Sequence, residues 1–180
     1  MMSHIFGEIR QLAFVTDDID AAMNYWGNTL GIGPFFIKRH ITFNEFEYHG
    51  HPSPSPEISI ALANSGALQI ELIQQHDDAA SIYREVADAS KLHHVSAWLT
   101  KDDFDLQYAE LTKKGYEVAQ ACVIPASGVR LVYFATEQGD DGLIYEISDL
   151  KEPSQYVRIM NIQKAHEGWQ GTPLVYEVDA

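Results

Sequence analysis

One short pattern occurs twice in this chain, and each copy puts polar, metal-capable side chains at matching places. The first copy opens on Arg10-Gln11-Leu12-Ala13-Phe14-Val15 and closes on Leu68-Gln69-Ile70-Glu71-Leu72-Ile73. The second opens on His93-His94-Val95-Ser96-Ala97-Trp98 and closes on Leu143-Ile144-Tyr145-Glu146-Ile147-Ser148. Gln11 therefore matches His94, and Glu71 matches Glu146. Each sits in an apolar, strand-like run, where a polar group is costly to bury unless something coordinates or hydrogen-bonds it. Duplication of such a unit points to four groups converging on one ion.

The same order of elements fills both copies. Residues 8–16 read as a strand with Gln11, Ala13 and Val15 on one face. Asp17-Asp18 then cap a helix carrying Ile19, Met23, Trp26 and Leu30, which Gly31-Ile32-Gly33-Pro34 stops. Strands are expected near 35–43, 57–63 and 67–74, with 49–56 a loop because its alternating prolines oppose a ladder. A helix is expected near 79–89. The second copy repeats the order: a strand at 93–99, a helix from Lys101-Asp102-Asp103 through Phe104, Tyr108 and Leu111 to Gly115, then strands near 116–123, 129–135 and 143–148. A tight turn at 138–142 joins the last two.

The expected fold class is α+β, with two tandem βαβββ modules forming a U-shaped mixed sheet around a cleft. The boundaries are 1–75 for the first module, 76–90 for a connecting helix, 91–150 for the second module and 151–180 for a C-terminal extension. Apolar residues of that extension, Val157 to Met160 and Trp169, Leu174 and Val175, are expected to pack across the sheet or against a second subunit.

Charge narrows the function. The 180 residues hold 26 acidic and 12 basic side chains, a formal net charge of −14. Such a surface repels phosphate backbones, so no nucleic-acid partner is expected. An anionic substrate would need a local cationic patch, for which Lys38-Arg39, Lys113-Lys114 and Arg130 are the candidates, and a less charged carbonyl substrate stays open. Cys122 is the single cysteine, so no intrachain disulfide can form. The first residues have neither the basic start nor the apolar run of a signal peptide, and no stretch approaches a membrane span. A cytoplasmic location without membrane partner is the resulting expectation.

Five motifs in order carry a family resemblance: Asp17-Asp18-Ile19-Asp20 after the first strand, Leu30-Gly31-Ile32-Gly33-Pro34, Gln69-Ile70-Glu71-Leu72-Ile73, Leu92-His93-His94-Val95, and residues 142–147. Over about 8–150 the chain resembles the vicinal-oxygen-chelate superfamily, which holds glyoxalase I, methylmalonyl-CoA epimerase, extradiol dioxygenases and the bleomycin and fosfomycin resistance proteins. It is most similar to the glyoxalase-like and epimerase-like branch. The resemblance implies one divalent metal ion, ligated by Gln11, Glu71, His94 and Glu146, with Glu146 also acting as catalytic base. Most relatives carry His at the first place; Gln11 is a departure whose side-chain oxygen is still a competent hard ligand. Three oxygen donors and one imidazole suit Zn, Mn, Co, Ni or Mg. The implied enzyme abstracts a proton alpha to a carbonyl of a small-molecule substrate, as a glyoxalase-type lyase or an epimerase-type isomerase, and works as a homodimer. Glu57 lies near the place of a further glutamate in the epimerase.

Read singly, these residues have plainer roles. Gln11 can cap an edge strand, and Glu71 and Glu146 can face solvent on alternating strands. Strict alternation puts His93 and His94 on opposite faces, and His94 is the one in register with Gln11. His49 and His51 read as parts of a loop, Trp98 and Phe14 as packing or cleft walls, and Tyr145 as structural. Two other functions remain: a metal-free binding protein of the resistance type, and an extradiol dioxygenase. The dioxygenase needs two His and one carboxylate for iron, and Gln11 removes one of the two.

Overall fold

The computed structural model describes residues 5–85, 92–136 and 143–178. Its elements are β1 (Ile9–Val15), α1 (Ile19–Asn28), β2 (Phe35–Ile41), β3 (Asn44–Tyr48), β4 (His51–Pro52), β5 (Ile58–Ser65), β6 (Leu68–Gln75), a 3-10 turn (Ile82–Arg84), β7 (Leu92–Trp98), α2 (Lys101–Lys113), β8 (Glu117–Val123), β9 (Arg130–Ala135), β10 (Ile144–Ser148), α3 (Pro153–Glu167) and β11 (Val175–Glu177). All strands join one mixed sheet, ordered β11-β2-β5-β6-β1-β7-β10-β9-β8-β3-β4. Two βαβββ modules meet in it at the antiparallel pair β1–β7. Outside that seam β6 runs parallel to β1, and β10 parallel to β7.

Helix starts follow the capping chemistry of the sequence. Asp18 accepts from the Ala21 backbone N–H at 2.9 Å, and Ile19 and Met23 bury the inner stripe of α1. Thr100 caps α2 by accepting from Asp103 N–H, and Phe104 and Leu111 face inward. Each helix covers the outer face of its own module: α1 packs on Phe35, Ile37, Ala61 and Leu72, while α2 packs near Val95, Phe134, Tyr145 and Ile147. A third core, with Val15, Ile73, Tyr83, Leu131 and Tyr133, lies inside the curve of the sheet and mixes the two modules. Both faces of the central strands are therefore buried.

The curvature follows from one short link. β2 lies near one end of the sheet and β3 near the other, yet only residues 42 and 43 separate them in sequence. Three Cα steps span at most about 11 Å, so the two flanks must approach each other. The strand expected over 35–43 thus ends at Ile41, and its continuation changes flanks to pair with β8. Positive φ angles at His40 (51°) and Glu45 (47°) mark the crossing. The loop expected at 49–56 is also partly corrected: His51–Pro52 pairs with β3 as the outermost strand. Proline is tolerated there because no further strand needs its missing N–H.

Of the connecting helix expected within 76–90, the described residues show a 3-10 turn over Ile82–Arg84, and residues 79–81 are not helical. Asp77 Oδ1 accepts from the Ala79 N–H, and Ser81 is extended and caps the turn at Tyr83 N–H, which leaves little room for an earlier start. Residues 86–91, and the turn expected at 138–142, lie outside the described residues.

The C-terminal extension returns from the second module to the first. Lys151 N–H donates to Leu99 O at 2.9 Å, α3 crosses to β5, and His166 Nδ1 donates to Gly33 O at 2.9 Å. β11 then adds in parallel to β2, and Arg39 holds it by pairing with Glu177 as well as Asp20. Ile159 and Ile162 carry the buried face of α3, whereas Val157 does not pack across the sheet and is 59% exposed in the single chain. Leu174 rests on the bare backbone of α1, where a Cβ at Gly27 would lie 2.2 Å from Leu174 Cδ1.

That contact sets a sign test. In a free helix Gly→Ala gains about 1 kcal/mol, but Gly27→Ala meets Leu174, and overpacking costs about 1–3 kcal/mol. Gly27→Ala is therefore expected to lower the denaturation midpoint in the native background and to raise it relative to Leu174→Ala alone. Urea titration of the four variants measures both signs.

Candidate metal centre

Register puts the sequence-predicted residues on one inner face. Across β6, β1 and β7, Glu71 pairs with Ala13 and Ala13 with His94. One row along, Gln69 pairs with Gln11, Gln11 with Ser96, and Ser96 with Glu146 on β10. Ala13 and Ser96 are the small residues in these rows. Their neighbours sit two strands apart, about 9.6 Å, and meet over the short side chains. His94 Nε2 lies 3.4 Å from Glu71 Oε2 and 3.2 Å from Glu146 Oε2. One donor atom from each of the three lies within 4.8 Å of the other two.

Gln11 lines the same cavity. Its Nε2–H donates to Gln69 Oε1 at 3.0 Å, which commits the amide donor and leaves Oε1 as the acceptor a cation needs. The cavity, about 380 Å³, is bounded by both modules and α3, and Glu71, Glu146, Tyr83 and Tyr133 are on its walls. Tyr83 OH and Tyr133 OH are 3.2 Å apart. Burial raises both phenols well above their ordinary value, with the Glu146 charge adding to the effect at each, so both stay protonated donors.

His93 is the residue that alternation misjudged. Between Ala13 and Phe14 the β1–β7 register slips, so β7 carries an extra residue there. Such a bulge re-aims a side chain, and the two imidazoles touch: Nδ1 to Nδ1 is 2.7 Å. The far side of His93 fixes every proton. Its Nε2 lies 3.0 Å from Ile82 O, and a carbonyl only accepts, so Nε2 carries the hydrogen. Burial, helped by the neighbouring His94, pushes His93 down to about 3, so the ring is neutral and Nδ1 keeps its lone pair. His94 Nδ1–H must then donate to it, which turns His94 Nε2 toward the carboxylates. Nothing in the sequence pattern signalled this; only the adjacent pair of histidines hinted at it.

The charges in the site are strongly coupled. Burial by itself pushes His94 down, but the carboxylates of Glu146 and Glu71 outweigh it and raise the ring to about 9. Burial raises Glu71 above the usual carboxylate range against the opposing pull of His94. Ser96 Oγ donates to Glu146 Oε1 at 2.8 Å and leaves Oε2 facing His94. His94 Nε2, fully buried, makes no well-aligned hydrogen bond to either carboxylate. An imidazole nitrogen turned toward two carboxylates without a well-aligned hydrogen bond to either, with Gln11 on the same cavity wall, fits a divalent cation held among them.

Other candidates fall elsewhere. Glu57 pairs with His40 at 2.8 Å, and His49 is held between Glu85 and Glu117. Phe14 packs on Trp26, Trp98 lies under Arg10, and Tyr145 stacks on Phe6 outside the curve. Arg39 and Arg130 are occupied by carboxylates, Lys114 by Glu110, and Lys38 lines the cavity.

Residues 10–134 match the model of the glyoxalase/bleomycin resistance protein/dioxygenase superfamily, and the chain belongs to that superfamily. No curated protein matches by sequence. Among solved structures, methylmalonyl-CoA epimerase from Mycobacterium tuberculosis is similar with a TM-score of 0.54 and 16% identity, covering 82% of this chain and 91% of the epimerase. A hypothetical protein from Bacillus halodurans C-125 gives 0.53 and 16%, covering 80% and 94%. The Mn(II)-bound glyoxalase from Novosphingobium aromaticivorans gives 0.46 and 16%, covering 81% of this chain and 38% of that one. At 16% identity the likeness to the first two speaks for the fold alone.

His93→Ala removes the acceptor of His94 Nδ1–H, and loss of such an outer partner typically costs about 10–100-fold in metal affinity. Titration of the purified chain with Mn(II), followed by calorimetry, should show that weakening with the fold retained. His93→Gln, which offers an acceptor oxygen again, should recover part of it.

Proposed function

We propose that the chain is a metal-dependent enzyme that removes a proton alpha to a carbonyl, with Gln11, Glu71, His94 and Glu146 as ligands of one divalent ion and Glu146 as base. The observation that carries this is the meeting of Glu71, His94 and Glu146, from three strands of two modules, at a buried point on a cavity wall. A divalent ion held there supplies Lewis-acid stabilisation of negative charge developing on a carbonyl oxygen.

The chain's own residues then do the following. Ser96 holds Glu146 Oε1, so Oε2 keeps a fixed direction as proton acceptor. Tyr83 and Tyr133 present hydroxyls that stay protonated and can donate to a substrate oxygen. The apolar walls exclude water, which strengthens each of these interactions. Return of that proton from Glu146 to the neighbouring carbon would give an isomerised product, whereas epimerisation would need a second proton donor on the opposite face of the carbon. A homodimer in the cytoplasm remains part of this reading. Among the described residues no helix is long and apolar enough to cross a membrane.

Without the ion, His94 at about 9 is protonated at pH 7, and its single positive charge faces both Glu71 and Glu146. Its folded value lies above the ordinary 6.5, so this proton stabilises the fold fully below 6.5 and the benefit is lost as pH rises through about 9. A cation must displace that proton. Metal uptake at pH 7 should release protons into a weak buffer, and apparent affinity should climb with pH and level off above about 9. A flat profile would remove His94 from the ligand set.

Glu146→Gln keeps a donor oxygen and removes the base. Exchange of the alpha proton with deuterium in a metal-chelating ketone, read by NMR, should fall about 10²–10⁴-fold, with Mn(II) still bound more weakly. Unchanged exchange would exclude Glu146 as base.

A further inference from the structure

The superfamily match ends at residue 134, whereas α3 begins at Pro153, so the roof of the cavity is made by a segment outside the family body. Gln155, Arg158, Ile159 and Ile162 recur at helical spacing on the face of α3 that lines the cavity, and Val178 joins them from the tail. This roof is fastened at both ends. Lys101 N–H donates to Glu152 Oε1 at 3.2 Å at the start of α3, and at its far end His166 meets Gly33 while Trp169 packs over the same glycine.

Away from the candidate ligands the walls are mainly hydrocarbon, with Phe36, Ile60, Leu62 and Ile73 from the first module, Leu131 from the second and Ile159 from the roof, and with Ser127, Gln155 and Asn161 as polar side chains among them. The basic residues on the lining are Lys38 and Arg158, in a chain of net charge −14. Coenzyme A brings several phosphate charges, for which the lining offers Lys38 and Arg158 in a strongly acidic chain. Glutathione brings two carboxylates, an ammonium and two amide groups, a polar load that mainly hydrocarbon walls satisfy poorly even with Lys38 and Arg158 on the lining.

We propose that the C-terminal helix closes this cavity into a chamber for a compact, mainly hydrocarbon carbonyl compound with two neighbouring oxygens, taken free of any thiol carrier. The proposal rests on the metal reading for the oxygen end of the substrate, and on α3 for the rest. Specificity then comes from Ile159 and Ile162, which contact the hydrocarbon body, and the candidate ligands hold the oxygens.

The test uses the whole chain, with and without Mn(II), and four probes: camphorquinone and benzoin as compact oxygen pairs, methylmalonyl-CoA and S-lactoylglutathione as carrier-borne ones. Thermal shift and calorimetry should show binding of the first two, stronger with Mn(II), and none of the last two. Ile159→Trp, which fills the chamber, should abolish camphorquinone binding at unchanged Mn(II) stoichiometry. Ile159→Ala, which leaves the fold less burdened, should weaken it by about tenfold or more. Preference for either thioester, or no response to both compact probes, overturns the chamber. Failure to take up Mn(II) while the compact probes still bind overturns the metal reading and leaves the chamber standing.

Discussion

The antiparallel seam between β1 and β7 decides where every other functional group can be. Because β6 and β10 flank it on opposite sides, their glutamates approach from the two modules toward a histidine on the seam itself. Two strand spacings are too wide for direct contact unless the intervening residue is small. Ala13 stands between Glu71 and His94, and Ser96 between Gln11 and Glu146. A large side chain at either place would fill the gap and keep the donors apart. Ser96 does more than leave room, since its hydroxyl fixes one oxygen of Glu146.

Burying two carboxylates and an imidazole beside one another is expensive, and their mutual attraction only partly offsets the loss of water. The chain commits further polar groups to the same place: the amides of Gln11 and Gln69, the paired phenols, and the relay from Ile82 O through His93 to His94. Hydrophobic residues of similar volume would have packed this interior at less cost. A cluster maintained against that cost, on the wall of a cavity, is better explained by chemistry than by stability. The 3-10 turn shares in it, because Gln120 Oε1 accepts from Ile82 N–H and so holds the carbonyl that orients His93.

Much of this was legible in the residues. Period-two and period-3.6 patterns located the four main strands of each module and both covering helices, and the repeat aligned Gln11 with His94 and Glu71 with Glu146. What the patterns missed shares a cause: each was a departure from regular pairing. The bulge at His93 breaks alternation, so a residue assigned to the outer face reaches its neighbour's ring. The crossing at residues 42–43 sends one apparent strand to both flanks of the sheet, and His51–Pro52 pairs only because it is outermost. The buried face of α3 belongs to Ile159 and Ile162, which the apolar content of the tail did not single out from Val157.

By itself the sequence determined the duplicated βαβββ plan, the inward faces of the strands and the residue types offered to the centre, because these depend on local periodicity and side-chain chemistry. Tertiary structure decided which of those groups meet, which nitrogen of His94 is turned inward, and what roofs the space above them. Those outcomes depend on strand register, a one-residue slip and contacts between segments far apart in the chain. No local pattern records such contacts, since they exist only once the sheet has curled and brought its flanks together.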